Sequence, residues 1–226
     1  MSDKQHIEVT VRRATDADIL FIAWVNYEAS SPEPGFCYWD PLLEGTNTPT
    51  MAFIEAMFRA RALAWGDPEN FSLAVHNGQP IAGASGFEMN AQDYRPLRES
   101  RLPYLASLIG WDDSKLNTFR ERYAAVWSDP QDISIAPAAQ WTIECVATKP
   151  EYRGRGAAKQ VIRELLDEGQ RLGFSHAGIS VTVGNESAQR AYEALGFKMY
   201  VTYGSEYFND QYPGTIKYRR RLGNVK

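Results

Sequence analysis

The second half of the chain cannot fold as a plain stack of hairpins. From Trp141 it reads as a strand (WTIECVAT, 141–148), a loop (KPEYRGRG, 149–156) and a helix to about Leu172. A strand (AGISVTV, 177–183), a loop with Asn185, a helix (SAQRAYEAL, 187–195) and two more strands (GFKMYVTY, 196–203; GTIKYRRRL, 214–222) follow. Neighbouring parallel strands need a crossover that lays a helix on one face of the sheet. The alternation therefore implies an α/β (α+β) fold, with a mixed central β-sheet flanked by helices.

The first half is compatible with that sheet. Residues 7–13 alternate apolar and polar side chains and predict a strand, and Thr15 with Asp18 three residues on predicts the start of a helix running to about Ala29. Pro32 and Pro34 cannot continue it. After the loop GFCYWDPLLEG (35–45), a second helical pattern in PTMAFIEAMFRARALAW (49–65) is expected to close at Gly66 and Pro68. His76-Asn77-Gly78-Gln79 joins two apolar runs, and Asn-Gly is a strong hairpin signal because both turn residues must accept positive φ. Residues 90–140 carry a weaker pattern, with helices near 102–109 and 114–127. We read residues 1–226 as one domain, with 90–140 a helical insertion ahead of the central strand.

Composition narrows the chemistry. The 226 residues are 44% hydrophobic and 23% charged, with a formal net charge of −4 and its charges scattered, which disfavours a nucleic-acid partner. The two cysteines, Cys37 and Cys145, are far apart, so neither a disulfide framework nor a zinc site is suggested and a cytoplasmic location fits. His6, His76 and His176 are dispersed and form no metal spacing. The start of the chain has no signal-like apolar core, and no apolar run approaches the ~18 residues of a membrane span. A soluble, unprocessed protein with no membrane partner is the expectation.

The loop after the 141–148 strand is the strongest local feature. Gly154 and Gly156 remove side chains so that backbone N–H groups can approach a ligand, and a helix beginning at Ala157 and Ala158 offers unpaired donors and a partial positive charge to a phosphate. Arg153 and Arg155 add charge. The alternative is a tight turn with two solvated arginines. The Walker motif G-x-x-x-x-G-K-S/T is absent from the chain, and the dinucleotide fingerprint fails because Gly154-x-Gly156 is followed by Ala157, Ala158 and Lys159, so neither ATP nor NAD is indicated.

Arg153-Gly154-Arg155-Gly156-Ala157-Ala158, preceded by Pro150-Glu151-Tyr152, resembles the acyl-CoA-binding signature R/Q-x-x-G-x-G/A of the GNAT acetyltransferase superfamily. One strand later the family carries an Asn before a short helix ending in Tyr-x-x-x-G-F. Here Asn185 precedes Ala191-Tyr192-Glu193-Ala194-Leu195-Gly196-Phe197. The resemblance covers about residues 141–203. It implies acetyl-CoA as co-substrate, with backbone near Val146, Ala147 and Thr148 pairing with the pantetheine arm where the strand splays from its neighbour. It implies Asn185 as a further contact to that arm and Tyr192 as the proton donor to the departing thiolate. A buried packing tyrosine and a turn asparagine are the plain alternatives for those two.

For the base, alternation puts Thr142, Glu144 and Val146 on one strand face and Trp141, Ile143 and Cys145 on the other. A carboxylate inside a central strand is costly unless it is paired, exposed or used, so Glu144 is the candidate base, directly or through water, with Glu88 a weaker competitor. Cys145 reads as a buried, inert thiol.

The acceptor side should draw on Phe36, Tyr38, Trp39, Asp40 and Glu44, and on Tyr200, Tyr203, Tyr207, Phe208 and Tyr212. Aromatic and acidic groups suit a small-molecule amine with an apolar body, though the same residues could equally be core. The insertion could lid the site, make a homodimer contact or thicken the core. Three functions stay open: a small-molecule amine N-acetyltransferase, a protein N-terminal or lysine acetyltransferase, and a non-catalytic acyl-CoA sensor.

Overall fold

The computed structural model describes residues 7–32 and 35–223. His6 and Pro34 lie outside the described residues. The strands are β1 (Thr10–Arg13), β2 (Phe71–His76), β3 (Gln79–Glu88), β4 (Trp141–Thr148), β5 (His176–Thr182), β6 (Lys198–Gly204) and β7 (Gly214–Arg221). They form a mixed seven-stranded sheet in the order β1-β2-β3-β4-β5-β7-β6, antiparallel except for the β4–β5 pair. The helices are α1 (Ile19–Ala29), α2 (Asp40–Leu43), α3 (Thr50–Arg59), α4 (Leu102–Leu108), α5 (Asp113–Val126), α6 (Ala157–Arg171) and α7 (Glu186–Glu193).

Local chemistry accounts for most boundaries. The Thr15–Asp18 capping box opens a 3-10 turn that runs into α1, and Asn77 (φ +49°) with Gly78 (φ +76°) makes the tight β2–β3 hairpin. Strand β1 is shorter than the alternation predicts, because residues 7–9 lie outside the ladder with β2. The second helix also stops early. Arg61 takes a φ of +54° after the Ala60 cap, so α3 ends at Arg59 rather than near Gly66, and Leu63 is released to bridge Leu97. The short α2 interrupts the expected loop, with Asp40 accepting from the Cys37 amide and from the Thr50 hydroxyl.

Two cores form on the two faces of the sheet. Helix α6 packs across β2, β3 and β4, burying Val161, Ile162, Leu165 and Leu166 against Ile81, Ile143 and Ile179. Helix α1 lies on the opposite face against β3 and β4 and joins α3. The 90–140 segment thickens this second core: Trp111, Phe119 and Tyr123 pack with Phe53, Trp39 and Trp127 as a connected set of rings 5.1–6.1 Å apart. The Tyr123 hydroxyl also accepts from the Leu97 amide.

Beyond α5 the segment turns back over the sheet. A Cβ placed on Gly178 of β5 would sit 2.8 Å from the Ala139 amide nitrogen, so the chain lies directly on the strand there. Gly178→Ala should therefore cost about 1–3 kcal/mol through overpacking. A lower urea midpoint at unchanged m-value would register it, whereas an unchanged midpoint would mean that the segment is not seated on the strand.

Candidate functional site

Strands β4 and β5 pair only at Trp141–Ala177, Thr142–Gly178 and Ile143–Ile179. Past Ile143, β4 stays on β3 while β5 stays on β7, and the two part at their carboxyl ends, the usual place for a ligand crevice in an open α/β sheet. The parting coincides with a bulge. Glu144 pairs with Ser85 and Ala147 with Gly83, so Cys145 and Val146 together face Ala84, and Cys145 takes a φ of +55°.

The bulge corrects the alternation read from the sequence. Trp141 and Ile143 pack on the α6 side, as does Val146, whereas Cys145 and Ala147 join the core under α1. Glu144 and Cys145 thus share a side that strict alternation would deny them, and Val146 leaves it. Cys145 Sγ accepts from Asn26 Nδ2 at 3.3 Å, and Asn26 Oδ1 accepts from the Trp39 indole at 3.1 Å. Burial pushes the Cys145 thiol up to about 12, in keeping with an inert thiol.

Glu144 is half-buried at the point where the strands part. Burial pushes its carboxyl up to about 7, and the charge of Lys217 opposes that rise. Tyr192 of α7 is 5% exposed and packs against Phe197 and Tyr218. Burial, then the nearby Glu144 charge, raise its phenol. The two candidate acid–base residues therefore sit within electrostatic reach of each other. Glu88 does not join them: it lies opposite Trp141 at the far end of β3 and accepts from Gln140.

Below the parting, Gly154 (φ +78°) and Gly156 (φ +87°) carry the loop into α6, and Gly156 has no side chain to cap the helix's first amides. Ala157 is buried against the sheet and Ala158 half-buried, so at this mouth the backbone N–H groups are what a ligand can reach. The arginines take unlike roles. Arg153 ties the loop down, donating to the Thr148 carbonyl at 3.1 Å and to Glu28 at 3.0 Å. Arg155 lies 6.0 Å over the Tyr152 ring, and its buried Nε has no hydrogen-bond partner. Asn185 is the N-cap of α7, its Oδ1 accepting from Ala188 at 3.1 Å with φ −80°, so no left-handed turn calls for an asparagine there.

The aromatic candidates divide. Phe36, Tyr38, Tyr212, Phe208, Tyr207 and Tyr203 form one chain of rings with successive centroids 4.9–5.9 Å apart, joining segments far apart in sequence. Trp39 instead belongs to the core, Asp40 is spent on α2, Glu44 lies near Arg122, and Tyr200 stacks with Arg219.

The chain of rings ends at Lys217, a residue that sequence reasoning missed. Lys217 is 2% exposed, its Nζ lies 5.1 Å over the Tyr203 ring, and it donates to the carbonyls of Ile133 (2.7 Å) and Ala136. It pairs with Ser180 on β5, one step beyond the Ile143–Ile179–Tyr218 row and so level with Glu144. Burial brings its ammonium down to about 8, against the pull of Glu144 and Asp132. A lysine before three arginines in β7 reads as a solvent face, and only the strand order reveals otherwise. Asp132 accepts from the Tyr207 hydroxyl at 2.9 Å, tying the insertion to the same wall.

Among the described residues no group of three or more His, Cys, Asp or Glu could hold a metal ion, and no helix is long and apolar enough to cross a membrane. The profile of the Acetyltransferase (GNAT) family matches residues 38–197. No curated protein sequence is detectably similar to the chain. Several solved structures share its fold. An N-acetyltransferase from Staphylococcus aureus is 17% identical, with 93% of this chain and 100% of that one covered and a TM-score of 0.59. A phosphinothricin acetyltransferase from Sinorhizobium meliloti in complex with acetyl-CoA is 16% identical over 96% of this chain and 90% of that one, with a TM-score of 0.54. A NatC complex bound to a Gag peptide and CoA is 17% identical over 96% and 100%, with a TM-score of 0.52.

Both cysteines are buried and their thiols raised, Cys37 to about 11. Ellman's reagent should therefore titrate neither thiol in the native protein within minutes and both after unfolding. Fast native labelling of Cys145 would revive it as a nucleophile.

Proposed function

The chain belongs to the GNAT acetyltransferase family, and from that membership we propose that it moves an acetyl group from acetyl-CoA to the primary amine of a small molecule by direct attack in a ternary complex. The observation that carries the small-molecule reading is the wall of rings from Phe36 to Tyr203, which meets Lys217 and the 133–136 segment at the level of Glu144. Rings with acidic groups suit an ammonium on an apolar body, whereas a peptide acceptor needs an open groove.

The residues around the cleft fit acetyl-CoA. The edge of β4 from Val146 to Thr148 has no β5 partner, so its backbone groups can take an extended arm as a strand would and help hold the acyl oxygen. The mouth of α6 at Gly154, Gly156, Ala157 and Ala158, with Arg155 beside it, suits the pyrophosphate. Arg153 serves by fixing that loop to β4 and α1. Asn185 keeps its amide nitrogen for the arm while its oxygen caps α7. When bound, acetyl-CoA supplies an activated acyl carbon and a thiol leaving group.

The acid–base work falls to two side chains. Glu144, raised toward neutrality, takes the proton from the acceptor ammonium, directly or through water, so that a neutral amine attacks. Tyr192, raised above the usual phenol value, stays protonated and gives its proton to the thiolate.

Acetyl-CoA turnover against pooled amines and pooled peptides separates the acceptor classes. Release of CoA with phenethylamine-like amines supports the proposal, turnover on peptides alone would move the protein to the protein-acetylating class, and CoA binding without turnover would make it a sensor. Because an acid with a raised pKa ionises as pH rises through about 7, kcat/KM should climb through that range and level off. Glu144→Gln should remove that limb and lower kcat/KM at pH 7 by about 10²-fold, and less at high pH where free amine is abundant. An unchanged profile would refute the base. Tyr192→Phe should lower kcat by at least about tenfold with the limb kept.

A further inference from the structure

We propose that Lys217 is a positioning residue for the reaction: clamped by the insertion, it holds a positive charge behind Glu144 that keeps the carboxylate ionised and able to accept a proton. The inference rests on Glu144 being the base. A buried ammonium is costly unless its donors are satisfied, and a methionine would fill the same space without that cost. Lys217 spends two donors on the Ile133 and Ala136 carbonyls and faces the Tyr203 ring, an arrangement that keeps a charged nitrogen in place. It makes no direct ion pair among the described residues, and the charges acting on it are those of Glu144 and Asp132. It is too buried to meet an acceptor, so whatever it does for the chemistry goes through a neighbour.

The other groups around Glu144 leave its ionisation to this pair. On its own strand Cys145 is held up to about 12, and from α7 Tyr192 is raised, so both stay neutral near pH 7. From the insertion Asp132 is affected first by burial, but donors from Ser134 and Tyr207 and the Lys217 charge outweigh it and keep the carboxylate ionised. Tyr207, raised, stays neutral, and Tyr203 meets Lys217 through its ring. Removing the Lys217 charge takes away the cation that opposes Glu144's desolvation. That loss favours the protonated acid.

The test titrates Glu144 by carboxyl carbon NMR in the full-length protein, the resonance assigned by its loss in Glu144→Gln. In Lys217→Met the midpoint should rise by about one pH unit or more, and in Lys217→Arg it should stay near the wild-type value. A midpoint unmoved in Lys217→Met overturns the proposal, because a lysine that only staples the insertion to β7 would not shift it. If Lys217→Met does not fold, the wild-type protein decides. The Lys217 Cε resonance should show an inflection at the Glu144 midpoint that disappears in Glu144→Gln, and its absence overturns the proposal equally. Rates with acetyl-CoA and phenethylamine keep the two readings apart. The kcat/KM limb should follow the NMR midpoint upward, lowering the rate at pH 7 about fivefold. A midpoint that moves while the limb does not leaves the charge coupling intact and removes Glu144 as base.

Discussion

At Cys145 the backbone of β4 takes a conformation that non-glycine residues rarely adopt, at a cost of roughly 1–3 kcal/mol, and much of the fold is arranged around that residue. The Asn26 amide and the Trp39 indole form a buried line that ends on its sulfur, and the Ser85 hydroxyl donates to the carbonyl of Glu144 at 3.2 Å. These contacts from α1, from the segment before α2 and from β3 offset the strain. One extra residue on β4 then has three consequences at once. It re-aims Val146 to the α6 side, it brings Cys145 under α1, and it coincides with the end of the β4–β5 ladder. A cleft at the carboxyl ends of two parallel strands follows from where the ladder stops.

That geometry also explains how much could be read from the chain. Elements whose boundaries are set by local chemistry were legible: the Thr15–Asp18 box, the Asn77–Gly78 turn, the strand from Trp141 and the glycine-led start of α6. The early end of α3 was not, because it comes with the left-handed Arg61 and a Leu63–Leu97 bridge across a long loop rather than at Gly66 or Pro68. The bulge was hidden for a similar reason. WTIECVAT alternates only as far as Cys145, and the apolar run Cys145-Val146-Ala147 does not by itself name a bulge, because the positive φ of Cys145 is held by partners 60 and more residues away.

Site residues divide along the same line. Glu144 and Tyr192 stand out locally, one as a charge inside an apolar strand and the other by its place in a motif, and the fold brings them into electrostatic contact. The aromatic residues looked alike in sequence, yet Trp39 went to the core and Tyr38, one residue earlier, to the wall, because successive residues around α2 face different layers. Lys217 carried no signal of its own. Its partners are backbone carbonyls more than 80 residues upstream, and carbonyl positions leave no trace in residue type.

The insertion gains a meaning from that lysine. Its helices α4 and α5 are bound into the aromatic core by Phe53, Trp111, Phe119 and Tyr123, which makes the far end of the segment a fixed platform rather than a loose loop. From that platform the 133–139 stretch crosses β5 at Gly178 and offers its carbonyls to Lys217. A carboxylate half-buried at the parting of two strands would hold its proton at neutral pH if left alone, and a buried lysine would shed one, since burial disfavours the charged form of each. Placed level with each other, the two stabilise each other's charged form. The remaining desolvation leaves both near neutrality, where a proton can be taken up and released at modest cost. A base poised in this way depends on residues from β4, β7 and the insertion at once, so in the proposed reaction the added segment is as much a part of the acid–base machinery as the strand that carries Glu144.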